Sequence, residues 1–80
     1  MQVDGIFRIK GRGWVLSCPY TPGLEIGMQI LDEQDRLIGK VRGLEYTVGN
    51  YGFTGNVGIV IGEANEDLLP FIDDVISIVE

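Results

Sequence analysis

The chain has no histidine and a single cysteine, Cys18, and these two shortages remove most of the chemistry that a small domain can carry. Without an imidazole, nothing of the usual kind activates a hydroxyl or thiol nucleophile, and the common structural zinc site cannot be completed. One cysteine closes no intramolecular disulfide, which fits a reducing, cytoplasmic setting. Apolar runs are short. None approaches the roughly 20 residues of a bilayer-spanning helix, and the first residues lack the basic-then-apolar order of a secretion signal. Positive charge is scarce as well: six Lys and Arg stand against twelve Asp and Glu, a net charge of -6, and no Lys or Arg follows Arg42. Such a chain repels a phosphate backbone, so RNA is disfavoured. Neither a membrane nor a cofactor is expected.

Glycine is plentiful: 12 of the 80 residues, about twice the average frequency of roughly 7%. The glycines punctuate short stretches of β-formers. Residues 4 to 10 alternate, with Phe7 and Ile9 on one side and Ile6, Arg8 and Lys10 on the other, the period of a half-buried strand. A Gly11-Arg12-Gly13 corner leads into Trp14 to Cys18, which the Pro19 to Gly23 turn cluster halts. Pro22-Gly23 is a type II turn pair, and Met28 to Asp32 forms a third strand with Met28 and Ile30 on one face. A polar turn over residues 32 to 36 precedes one long curved strand, Leu37 to Tyr46. Thr47 to Asn56, with Gly49, Gly52 and Gly55, reads as an irregular loop carrying aromatic side chains. Val57 to Ile61 and Val75 to Val79 are the last strands, and Asn65 caps a single turn that Pro70 stops. Six short strands at this spacing predict one all-β domain over residues 1–80, a barrel or small sandwich.

Phe7-Arg8-Ile9 followed by Gly11-Arg12-Gly13-x-Val15, then Gly23-Leu24-x-Ile26-Gly27, Gly39-Lys40-Val41 and Thr54-Gly55-Asn56-Val57-Gly58-Ile59, together resemble the second domain of elongation factor Tu and related translation GTPases, nearly end to end. The resemblance implies a six-stranded closed Greek-key barrel of the translation-factor domain 2 type. In that family the barrel packs on a GTPase domain and, in elongation factor Tu, helps hold the aminoacylated end of a transfer RNA. Trp14, Cys18 and the segment from Pro70 to Asp74 depart from the family's usual residues. Gly39-Lys40 is no phosphate loop, since Gln34 stands where its first glycine belongs and Val41 where it needs Ser or Thr. GTP hydrolysis is therefore not expected.

The binding residues singled out are Arg12, Trp14, Tyr46, Tyr51, Phe53 and Asn56; no catalytic or metal-ligating set can be assembled. Arg12, between two glycines, is either a forked donor to a ligand or a solvated residue of a tight β connection, with the second favoured. Trp14 is either a partner's anchor or packing at the barrel end, again with the second favoured. Tyr46, Tyr51 and Phe53 lie on or beside the glycine-rich loop, where aromatic rings stack on a base or fill a partner's pocket. Cys18 reads as a small hydrophobe, and the acidic pairs 32–33, 66–67 and 73–74 as solvated turn residues. The expected function is a non-catalytic binding or regulatory module for another protein. RNA recognition through Arg8, Lys10, Arg12, Lys40 and Arg42 is the alternative, and a homodimer through an exposed edge or Trp14 is left open.

Overall fold

A computed structural model describes residues 1–49, 52–72 and 75–80, with side chains throughout except at 47–49 and 52–54. The chain forms β1 (Gly5–Ile9), β2 (Gly13–Pro19), β3 (Gln29–Leu31), β4 (Leu37–Gly49), β5 (Gly52–Gly62), a 3-10 turn over Leu69–Phe71 and β6 (Ser77–Val79). All strand pairs are antiparallel, in one six-stranded sheet of order β1-β2-β5-β4-β3-β6. No α-helix occurs among the described residues.

One face of the sheet carries the core. Leu16 on β2, Ile59 and Ile61 on β5, Val41 and Ile38 on β4 and Ile30 on β3 are buried together with Cys18, Leu69 and Ile76. The alternation predicted for β1 holds, and Ile6 is the residue that packs on this core, whereas Phe7 and Ile9 stand outside, 53% and 41% exposed. The opposite face has a smaller apolar row. Register places Phe7 beside Val15, Val15 beside Val60 and Val60 beside Gly43, and Val15 and Val60 are each only 8% exposed although separate from the main core.

The closed barrel is not what the strand pairing makes. β1 and β6 are the two edges of the sheet and do not pair with each other. Among the described residues, the chain approaches closure only ahead of those strands, where Gln2 bridges Val75 and the Ile76 amide donates to the Met1 carbonyl at 2.9 Å. Beside β1, a cavity of about 330 Å³ is lined by Val3, Gly5, Ile6, Trp14, Leu69 and Pro70, with Ile72. The short turn containing Pro70 lies against this edge, and a proline has no amide to add to a ladder. β6 is three residues long, too short to replace the missing pairing.

The expected irregular loop at 47 to 56 is instead mostly strand. β4 runs on to Gly49 and β5 starts at Gly52, with Val48 opposite Phe53 and Gly49 opposite Gly52. Tyr, Thr, Val and Phe all favour a pleated backbone, and the glycines punctuate the arms without ending them. The single turn at Asn65 is present, its side-chain oxygen accepting from the Asp67 amide at 3.1 Å, but Pro70 lies inside the 3-10 turn that follows and does not stop it.

Candidate functional site

The β1–β2 connection follows from its glycines. The Arg12 amide donates to the Ile9 carbonyl at 2.9 Å, which closes a four-residue turn, and Gly11 and Gly13 have φ of 85° and 83°, values that a Cβ disfavours. The tight-connection reading of Gly11-Arg12-Gly13 is thus the geometry found. Its position gives it a second use. Arg8, Lys10, Arg12 and Arg42, four of the chain's six basic residues, line one open concavity of about 660 Å³ at this end. Lys40, expected with them, instead meets Glu63 at 3.1 Å and is not part of the lining.

Each cation is held differently. The Arg12 guanidinium donates to both oxygens of Glu45, reaching across β5 to β4, and the two side chains are 53% and 47% exposed. Arg42 Nη2 donates to the Arg12 carbonyl at 2.7 Å, tying the turn to the same strand. Arg8 lies 6.0 Å from the Trp14 ring centroid and 3.6 Å from Glu66, which also accepts from Trp14 Nε1 at 3.2 Å. Lys10 has no ion-pair partner among the described residues. Ile9 lines the same concavity and is exposed, whereas the ring of Phe7, also exposed, lies back over Gly5.

No protein-family model, curated protein or solved structure matches this chain significantly.

The residues predicted for binding do not form one site. Arg12 and Trp14 lie at the start of β2, and Trp14 packs partly buried against the core, as the favoured reading had it. Tyr46 and Asn56 lie near its other end, where Asn56 is opposite Pro19 and the rings of Tyr46 and Tyr20 are 6.0 Å apart at 52°. Five strand steps between Trp14 and Pro19 put about 17 Å between the two groups. Tyr51 and the side chain of Phe53 lie outside the described residues, as do Asp73 and Asp74.

Cys18 is fully buried, and burial foremost, then the nearby Asp4 charge, raises its pKa, so it stays a thiol. No group of three or more metal-ligating side chains occurs among the described residues. No helix there is long and apolar enough to cross a membrane. Of the basic cluster expected from the sequence, Arg8, Lys10, Arg12, Lys40 and Arg42, all but Lys40 line the concavity, and no sequence signal marks Glu45 or Ile9 as their neighbours. Glu45 is 33 residues from Arg12, and no local pattern joins them.

Proposed function

We propose that this protein is a non-catalytic module that docks another protein through its β1–β2 hairpin end. The observation that carries the reading is the collection of Arg8, Lys10, Arg12 and Arg42 around one concavity that exposed Ile9 also lines, in a chain whose net charge is -6. A local basic rim with exposed Ile9 in it suits a protein surface that offers carboxylates and a hydrophobic residue together. The resemblance to the second domain of translation GTPases belongs to the same proposal, since docking on a neighbouring domain is what that barrel does without chemistry of its own. A cytoplasmic setting is part of it too.

RNA binding is the second reading, and the same four cations favour it. The test is a tagged pull-down, with and without nuclease, comparing the native chain with Lys10→Glu and Ile9→Ala. A protein captured in nuclease and lost with either substitution supports the module. Material lost with nuclease, or with an affinity falling steeply with salt and insensitive to Ile9→Ala, overturns it in favour of RNA.

A further inference from the structure

We infer that Glu45 is a built-in occupant of the Arg12 guanidinium, bound where a carboxylate of the docking partner binds, and that the partner's contact is a short acidic segment carrying apolar side chains. The inference rests on the hairpin being the docking surface. Arg12 already binds a side-chain carboxylate, taken through both oxygens and held by a residue from a different strand. Both partners are about half exposed, so water and incoming ions reach the pair, and a pair of this kind is held weakly. Exchanging Glu45 for a ligand's carboxylate preserves the guanidinium's contacts. The exchange is close to neutral by itself.

A single carboxylate therefore gains little, and selectivity comes from the other cations. Lys10 has no ion-pair partner among the described residues, and both Lys10 and Arg8 line the same concavity. A segment with several carboxylates replaces Glu45 on Arg12 and engages Lys10 at once, while Ile9 in the same lining receives an apolar side chain. Glu45 thus excludes weakly charged ligands and holds the turn in place until a matching segment arrives. A long polyanion is served less well, because Glu66 lies 3.6 Å from Arg8 at this rim and repels a phosphate backbone that runs past it.

The test is fluorescence anisotropy with a labelled peptide of alternating glutamate and phenylalanine, and with a labelled oligouridylate of equal length. Glu45→Gln is expected to tighten peptide binding about two- to fivefold, the size of an exposed ion pair released. Glu25→Gln, which changes the net charge equally at a turn outside the concavity, should leave binding unchanged. Lys10→Ala and Arg12→Ala should weaken it, and in the Arg12→Ala background Glu45→Gln should bring no gain, because no guanidinium remains to be freed. Equal effects of Glu45→Gln and Glu25→Gln, a gain that persists without Arg12, no peptide binding by any variant, or tighter binding of the oligouridylate each overturn the inference. If the pull-down yields a protein partner lost with Lys10→Glu yet indifferent to Glu45→Gln, the docking surface stands and the role of Glu45 does not.

Discussion

Arg12 and Arg36 each hold a carboxylate beside a turn, and the two turns are built on opposite principles. At the β3–β4 turn the pair is local. Asp32 is only 4% exposed; its Oδ1 accepts from the amides of Gln34 and Arg36, both at 2.9 Å, and its Oδ2 accepts from Arg36 Nε at 2.8 Å. The carboxylate takes up the amides of Gln34 and Arg36 in a turn that the Asp32 and Asp35 amides close on the Arg36 and Asp32 carbonyls, and Arg36 supplies charge from the solvent side. At the hairpin end the pair spans 33 residues, both side chains are half exposed, and the turn's own backbone is satisfied by glycine dihedrals and the Arg12-to-Ile9 hydrogen bond. Removing a carboxylate that backbone amides depend on leaves those amides short of an acceptor, whereas removing one that only meets an exposed guanidinium returns that guanidinium to water. One turn is structural; the other is free to exchange its partner.

The sharpest test of that contrast uses one glycine from each side. Gly39 follows the Asp32 turn on β4, and a Cβ there would overlap the Ile61 side chain and sit 3.0 Å from the Gly62 carbonyl oxygen. Gly39→Ala should lose about 2 to 3 kcal/mol in urea unfolding, the range of overpacking in a core that cannot relax. Asp32→Ala should lose less than Gly39→Ala and clearly more than any substitution at the hairpin. Gly11→Ala meets open space but keeps φ near 85°, so its cost is the backbone term alone, about 1 kcal/mol. A hairpin glycine more costly than Gly39 would reverse the comparison.

The same contrast has a pH signature. Burial opposes ionisation of Asp32, but the amides of Arg36 and Gln34 and then the Arg36 guanidinium outweigh it, so the pKa lies below its ordinary value of 3.8. A folded pKa below the unfolded one stabilises the fold above the unfolded value, and that contribution is lost as pH falls from about 3.8 through the folded pKa. Unfolding midpoints followed from pH 6 to about pH 2 should therefore drop more in the native chain than in Asp32→Ala. Equal acid sensitivity in the two proteins would remove Asp32 from its structural role.

Much of this fold was legible, and the misses share a cause. Pro22-Gly23, the Asn65 cap and the six strands are local patterns, in which a residue's own dihedrals or near neighbours decide the outcome; Gly23, for instance, has the positive φ of 91° that a type II turn requires. The hairpin arms over 47–56 were misjudged because glycine spacing looks alike in a loop and in a glycine-bearing strand. The open edge between β1 and β6, and the outward set of Phe7, depend on which elements reach the seam first, and alternation along β1 is the same whichever face becomes the core. The candidate site was half legible for the same reason. The clustering of Arg8, Lys10 and Arg12 is local, but Arg42 and Glu45 join them only through the order β2-β5-β4.

The smallest expected effect bears most directly on function. Arg12→Ala breaks the exposed pair, and the turn keeps its backbone hydrogen bond because the Arg12 amide and carbonyl remain; the loss should be about 0.5 kcal/mol and should shrink further in high salt. Amide exchange offers a local readout. Protection of β2 and β5 should be unchanged, while residues 10 to 13 should exchange faster, because Arg12→Ala removes the side-chain tie from the turn to Glu45 on β4. Were Arg12→Ala to destabilise the whole sheet as strongly as Asp32→Ala, the pair would be part of the scaffold, and a partner could displace Glu45 only by unfolding the end to which it binds.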